Sequence, residues 1–229
     1  MRVLSWNLFH GRSLPPSHRE LLAEFSALLA GWPWDVALLQ EVPPWWPPLL
    51  ARACDAEQRT ALTSRNSLLL LRRAVARRNP ELAKSNGGGA NALLARRPIA
   101  RDEAVMLRRL PERRVAQIAC LADGVVVANY HASTRVPLAE QELAVLSERV
   151  LRAAGGGPAV LGGDLNLRSP APPATFRHVA QRDVDHLFAC GLEPAGEPTL
   201  HERSAVLEGA AVALSDHPPL EAALTAQRV

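Results

Sequence analysis

One device recurs along the 229-residue chain: a short apolar run that stops at a polar residue able to do chemistry. Val3-Leu4-Ser5-Trp6 ends at Asn7, and Val36-Ala-Leu-Leu39 ends at Gln40-Glu41. Val125-Val-Val-Ala128 leads into Asn129-Tyr-His131. Ala159-Val-Leu161 passes through Gly162-Gly163 to Asp164-Leu-Asn166, and Ala211-Val-Ala-Leu214 stops at Ser215-Asp216-His217. Runs this short and rich in β-branched residues, bounded by turn formers, read as buried strands. The sheet fixes where a strand ends, while the loop beyond it is free to carry function. The polar residues at these ends can therefore gather along one rim.

Two stretches carry helical spacing instead. Ser17-His-Arg-Glu20 has the form of a capping box ahead of Leu21, Leu22, Phe25, Leu28 and Leu29, which fall on one stripe. Pro137 opens a second helix with Leu143, Leu146, Val150 and Leu151 on one face, and Gly155-Gly-Gly157 stops it. Residues 68–71, 90–95, 115–121 and 220–224 read as further strands, and residues 43–48, 85–89 and 169–173 as loops. Many strands and few helices predict sheet packed on sheet under helical cover, an α/β sandwich. No linker interrupts the pattern, so residues 1–229 are expected to form a single domain.

Charge and cysteine usage narrow the function classes. A net charge of +3 permits a polyanionic substrate without the density of a histone-like protein. Lys84 is the only lysine, and 11 arginines fall between positions 72 and 114. A guanidinium fork suits phosphate oxygens; the run reads either as a solvated face or as a phosphate-backbone track. Cys54, Cys120 and Cys190 form no CxxC pair, which argues against structural zinc and a disulfide framework and predicts reduced thiols in a cytoplasmic protein. No apolar run approaches the roughly 20 residues of a membrane span, and the N-terminal residues read as a strand rather than a leader. No obligate protein partner is evident. Trp45-Trp46, set between proline pairs, are expected to pack on the helix that follows Ser17, the alternative being an exposed stacking or lipid-touching loop.

Taken singly, each polar strand end reads as a surface or turn residue. Together, Asn7, Glu41, His131, Asp164, Asn166, Asp185, Asp216 and His217 make an inventory of carboxylates, amides and imidazoles with no poised serine or cysteine nucleophile. Hard oxygen donors suit Mg²⁺ or Mn²⁺, which take one or two protein carboxylates together with substrate phosphate. Such an ion neutralises charge in an in-line displacement, and an aspartate or histidine can orient and deprotonate the attacking water. Hydrolysis of a phosphate ester is the reaction class these residues fit.

The ordered series Leu4-Ser-Trp-Asn7, Leu39-Gln-Glu41, Asn91-Ala-Leu-Leu-Ala-Arg96-Arg-Pro98, Asn129-Tyr-His131, Gly163-Asp-Leu-Asn166, Val184-Asp185-His186 and Ser215-Asp216-His217 resembles the endonuclease/exonuclease/phosphatase superfamily of DNase I-like hydrolases, nearly end to end. The resemblance implies a four-layered α/β sandwich: two packed, mainly antiparallel sheets flanked by helices. It implies that Asn7, Glu41 and Asp216 form the metal side, with Glu41 the principal ligand. It assigns the attacking water to Asp164, phosphate and water to Asn166, and the scissile phosphate to His217, oriented by Asp185. Such a pairing raises the imidazole pKa.

His131 resembles the DNase I, sphingomyelinase and inositol-phosphatase branches rather than the abasic-site branch, and Gln181-Arg-Asp-Val184 lacks the tryptophan of the latter. The glutamate that DNase I pairs with this histidine has no counterpart in residues 85–89, which leaves His131 to another partner, such as Glu112 or water, or to act without one. His186 is expected to be structural. Arg12 and Arg96 are candidates for substrate phosphate. The expected activity is Mg²⁺- or Mn²⁺-dependent phosphodiester hydrolysis, on DNA first. Phospholipid, inositol phosphate or nucleotide is the alternative within the superfamily. A non-catalytic phosphate-binding module is the alternative of another class, and the intact set of site positions argues against it.

Overall fold

The computed structural model describes residues 1–64, 66–84 and 89–227. Its first half contains β1 (Arg2–Asn7), β2 (Ser13–Leu14), α1 (Leu22–Gly31), β3 (Val36–Val42), α2 (Pro47–Ala53), β4 (Glu57–Leu62), α3 (Leu69–Arg78), α4 (Pro80–Ala83), β5 (Ala90–Ala95) and β6 (Ile99–Arg108). Then come β7 (Arg114–Leu121), β8 (Val126–His131), α5 (Val136–Ala154), β9 (Ala159–Asp164), β10 (Arg177–Arg182) and β11 (Asp185–Cys190). The chain closes with β12 (Leu192–Pro194), β13 (Thr199–Leu200), β14 (Ser204–Leu207), β15 (Ala210–Leu214) and β16 (Leu220–Ala226).

One sheet has the order β12-β16-β1-β3-β5-β4, with β13 also on β16; the second runs β10-β11-β9-β8-β7-β6. A small sheet, β14-β15-β2, stands apart. Among the described residues, only β1/β3 and β8/β9 pair in parallel within the two large sheets.

Period-two alternation along buried strands produces the layers. Val3, Val36, Leu38, Val127, Val160 and Leu187 point into the core between the sheets. Their chain neighbours Leu4, Ala37 and Leu39 face outward onto Phe25 and Leu29 of α1 and Leu50 of α2. Ala128, Ala159 and Leu161 face the other way onto Leu143, Leu146 and Val150 of α5. The result is the expected helix–sheet–sheet–helix sandwich, with strands apolar on both faces because both faces are covered.

The strands expected at 90–95, 115–121 and 220–224 are present as β5, β7 and β16, and the second helix is α5, ended by Gly155 at φ 56°. Three local expectations are corrected or bounded. The capping box does not form: α1 begins at Leu22 with no side-chain cap, and Ser17 Oγ donates to the Arg19 carbonyl. Glu20 instead accepts from the indole nitrogens of Trp45 and Trp46, 3.2 Å each. The expected strand at 68–71 opens helix α3, none of whose residues is buried. Of the expected loop at 85–89, residues 85–88 lie outside the described residues.

Trp46 packs on Phe25, ring centroids 5.4 Å apart, so the tryptophan pair is turned inward against α1. It also closes over the turn after β1. A Cβ on Gly11, at φ 77°, would lie 2.4 Å from the Trp46 ring.

Candidate active site

The site grows from strand register. His131, the last residue of β8, stands beside Asp164, the last of β9, and Asp185, the first of β11, stands on the other side of Asp164. Three chemistry-bearing residues thus share one row across three adjacent strands. Gly163 makes the row possible: at φ 140° its Cβ would lie 1.9 Å from the Tyr130 carbonyl oxygen. Only glycine lets β8 and β9 close at this point.

Asp164 Oδ2 is the hub. Asn7 Nδ2 donates to it across the sandwich at 2.9 Å, His131 Nε2 lies 3.5 Å away and His217 Nε2 3.8 Å away. Its other oxygen accepts from the backbone N–H of Asn166 at 3.0 Å, which holds Asn166 at φ 51°. The Asn166 amide then donates to the Ala132 carbonyl at 3.0 Å.

His217 is fixed through its backbone by β1. Trp6 Nε1 donates to its carbonyl, and its N–H donates to Ser215 Oγ, itself bound to the Asn7 carbonyl at 2.6 Å. Its ring Nδ1 lies 2.8 Å from Asp185 Oδ2. Burial pulls His217 down, but the hydrogen bond and charge of Asp185, helped by Asp164 and Asp216, outweigh it and raise the imidazole to about 9. Burial pushes Asp185 up to about 6, opposed by His217. The pair titrates as a unit in two steps, with the aspartate–imidazolium ion pair between them. His131 is the opposite case, with burial holding it below the usual imidazole value against the pull of Asp164. Asp164 Oδ2 lies 3.5 Å from it; Glu112, one of the partners offered from sequence, is paired with Arg114.

Glu41 sits at a β-bulge between Leu39 and Val42, at φ 50°. A bulge at a strand end re-aims a side chain, and here the Glu41 carboxylate joins the cleft wall, its Oε2 3.0 Å from His10 Nε2. His10, in the tight turn after β1, was not singled out from sequence as a site residue; its place right after Asn7 was the available signal. Asp216 is partly exposed, with Oδ1 3.9 Å from His217 Nε2. Glu41, Asp216 and the Asn7 amide oxygen, which accepts from the Phe9 N–H, are hard oxygen donors of the kind Mg²⁺ and Mn²⁺ take. Asp164, Asp185 and His217 also bring ligand atoms within 4.8 Å of one another. Two of these three are bound to each other and the third to Asn7, so a metal there would displace existing hydrogen bonds.

The site opens into a cleft of about 930 Å³. His10, Glu41, His131, Asp164, Asn166 and His217 line it, and Met106 of β6, Arg109, Pro111, Glu112 and Arg113 of the following turn and Arg114 of β7 join them. Neither arginine proposed for phosphate is there. Arg96 donates to the carbonyls of Trp32, Cys54 and Ala30 and stacks 4.0 Å over Trp34, tying α1 to its strands. Arg12 lies 3.5 Å over the Phe9 ring and reaches Glu81. Three more of the arginines between positions 72 and 114 are engaged away from the cleft: Arg97 pairs with Asp123, Arg101 donates to the Ala153 carbonyl and Arg108 pairs with Glu142.

Two supporting networks were missed from sequence because their members are widely separated in it. Buried Glu142 of α5 accepts from the Ser133 N–H at 2.9 Å, Ser133 Oγ at 2.7 Å and Arg108 Nε at 2.6 Å, which fixes the turn just beyond His131. Gln40 Nε2 donates to Asn129 Oδ1 at 2.9 Å, and Asn129 in turn donates to the Leu39 and Ala92 carbonyls, locking the two sheets together beneath the cleft.

Residues 4–217 match the profile of the Endonuclease/Exonuclease/phosphatase family. No curated protein sequence matches the chain. Among solved structures, an endonuclease/exonuclease/phosphatase from Beutenbergia cavernae superposes with TM-score 0.72 at 19% identity, covering 99% of this chain and 71% of that one. TDP2 from Caenorhabditis elegans gives 0.70 at 17%, covering 99% and 74%. A mannosyl-6-phosphatase from Bacteroides thetaiotaomicron gives 0.69 at 14%, covering 98% and 99%. At these identities the structures establish the shared fold.

Proposed function

The chain belongs to the Endonuclease/Exonuclease/phosphatase family, and on that premise we propose that it is a divalent-metal-dependent phosphodiester hydrolase. The observation that carries this reading is the convergence on Asp164 Oδ2 of Asn7, His131 and His217, with His217 backed by Asp185. Glu41, Asp216 and Asn7 would hold Mg²⁺ or Mn²⁺. When bound, such an ion neutralises phosphate oxygens and charge on the leaving oxygen.

The remaining chemistry belongs to the chain. Asp164 accepts a proton from water and aims it at phosphorus, its geometry set by the Asn7 and Asn166 hydrogen bonds. Asn166 and His131 meet the phosphate oxygens. His217, charged at neutral pH, stabilises the crowded anionic transition state across from Asp164. Arg109, Arg113 and Arg114 add positive charge to the lining of the cleft.

Hydrolysis of bis(4-nitrophenyl) phosphate and nicking of plasmid DNA, each with Mg²⁺, Mn²⁺ or EDTA, test the proposal. Metal-dependent turnover lost in Asp164→Ala is expected, with metal affinity retained. In Glu41→Ala, turnover is expected to be partly rescued by higher metal concentration. Wild-type turnover in Asp164→Ala would remove Asp164 from the water-activating role. A phosphomonoester hydrolysed in preference to any diester would move the reading toward a phosphatase.

A further inference from the structure

Helix α3 presents large apolar side chains to water. Its ten residues, Leu69-Leu-Leu-Arg-Arg-Ala-Val-Ala-Arg-Arg78, include none that is buried. At 100° per residue, Leu70, Leu71, Ala74, Arg77 and Arg78 fall on one arc of about 120°. All five of those residues are exposed, while Leu69, Arg72, Arg73 and Ala76 on the inner arc are half-buried. The helix thus turns Leu70 and Leu71 outward beside Arg77 and Arg78, with Arg72 and Arg73 on the inner arc. Leu70 is 82% exposed, Leu71 62% and Leu68, just before the helix, 73%. Arg77 anchors the far end, 3.4 Å from Glu20.

The apolar end of α3 is the end that follows the cleft residues in the chain. Thr63 and Ser64 line the cleft, and Leu68 follows Ser64 by four residues. The same rim continues into the second sheet. Arg59 of β4 binds Asp102 of β6 at 2.6 Å, and both strands run from there toward the cleft. The turn after β6 carries Leu110, 69% exposed, between the cleft residues Arg109 and Pro111, while Met106 is 41% exposed. Arg109 and Arg113 are exposed in the same turn. Exposed leucines thus follow the cleft residues Thr63 and Ser64 on one side and sit among Arg109, Pro111 and Arg113 on the other, with arginines close by in both segments.

We propose that this rim seats on an anionic phospholipid bilayer, with Leu70, Leu71 and Leu110 entering the interface and the cleft opening onto lipid headgroup phosphates. Outward leucines beside arginines are the composition of an interfacial helix, where apolar side chains enter the acyl boundary and basic ones meet anionic headgroups. A nucleic-acid strand is the poorer fit: bases stack on aromatic rings, and the exposed apolar residues of this rim are all aliphatic. Trp46 is packed on Phe25 of α1, and Trp45 against the same cluster, so neither offers an aromatic surface to the rim. The docking stands apart from the hydrolytic reading, whereas the assignment of a lipid diester as substrate rests on it.

Sedimentation of the purified chain with phosphatidylcholine vesicles, with and without phosphatidylserine, tests the docking. Wild type is expected to sediment with the anionic vesicles. Replacing Leu70 and Leu71 together by Glu should weaken this by about 100-fold or more, since each buried leucine contributes about tenfold or more. Arg77→Glu with Arg78→Glu should abolish the preference for phosphatidylserine. Turnover of soluble bis(4-nitrophenyl) phosphate should be unchanged in the leucine variant. Wild type left in the supernatant of both vesicle types, or a leucine variant that binds like wild type, overturns the proposal. So does plasmid DNA retained through the same leucines in place of vesicles, which would make the rim a nucleic-acid surface. A wild type that sediments but leaves every diester intact would instead fault the hydrolytic reading alone.

Discussion

Asp185→Asn is the most discriminating single change, because it keeps the shape of the His217 partner and removes its charge. Three carboxylates hold His217 up at about 9 against burial, and Asp185, 2.8 Å from Nδ1, contributes both a hydrogen bond and a charge. An amide in its place deletes the two largest upward contributions, so burial should carry the imidazole to its usual 6.5 or below. At about 1.4 kcal/mol per pH unit, the variant loses about 3 kcal/mol of imidazolium stabilisation, and at neutral pH only about a quarter of His217 stays charged. Turnover of a soluble diester at neutral pH should then fall at least about fourfold from the lost charge alone, and further to the extent that the ring is no longer held in place by the carboxylate. Part of that loss should return as pH is lowered, since acid restores the imidazolium that Asp185 no longer holds. The ring resonances of His217, followed by NMR across pH, report the midpoint directly. A midpoint that stays near 9 in the variant, or turnover within about threefold of wild type, would refute the assignment of Asp185 as the residue that holds His217 charged.

Three further changes separate scaffold from chemistry. Gly163→Ala places a Cβ 1.9 Å from the Tyr130 carbonyl at φ 140°; it should lower Tm by about 6 °C or more and remove activity with it. Arg96→Ala strips the Trp32, Cys54 and Ala30 carbonyls of their donor and should cost about 3 kcal/mol or more in denaturant titration with KM unchanged. A raised KM at unchanged stability would restore Arg96 to the substrate. Glu142→Ala leaves the Ser133 N–H and Arg108 facing a buried gap and should cost about 3 kcal/mol and slow turnover. Glu142→Gln keeps an acceptor for Ser133 and should recover most of the turnover; no recovery would mean that the charge pair with Arg108 matters rather than the turn beyond His131.

The layers were legible because apolar runs bounded by turn formers have few alternatives: a strand covered on both faces cannot be amphipathic, and Val36-Ala-Leu-Leu39 is apolar at every position. The local misreadings share one cause. At Ser17-His-Arg-Glu20 the capping pattern was present, but the Glu20 carboxylate found two indole donors from Trp45 and Trp46, a tertiary partner outweighing the local one. At Leu68-Leu-Leu-Leu71 four leucines imitate a buried strand, and only their exposure and the arginine doublets on either side of Ala74-Val-Ala76 show a surface helix.

At the site, residue types at strand ends were legible and their mutual arrangement was not, since that depends on register. Asp164 stands between His131 and Asp185 because β9 pairs in parallel with one neighbour and antiparallel with the other. Arginines were the least legible of all. A strand-end aspartate is placed by its own strand, but a guanidinium on a long side chain takes whichever carbonyl, carboxylate or ring the folded chain brings within reach. Of the 11 arginines between positions 72 and 114, Arg109, Arg113 and Arg114 line the cleft, while Arg96, Arg97, Arg101 and Arg108 are engaged within the fold. Four more, Arg72, Arg73, Arg77 and Arg78, ride on α3. A count of arginines therefore says little about a polyanionic substrate. The informative quantity is what stands beside the arginines at the cleft rim, and there it is leucine.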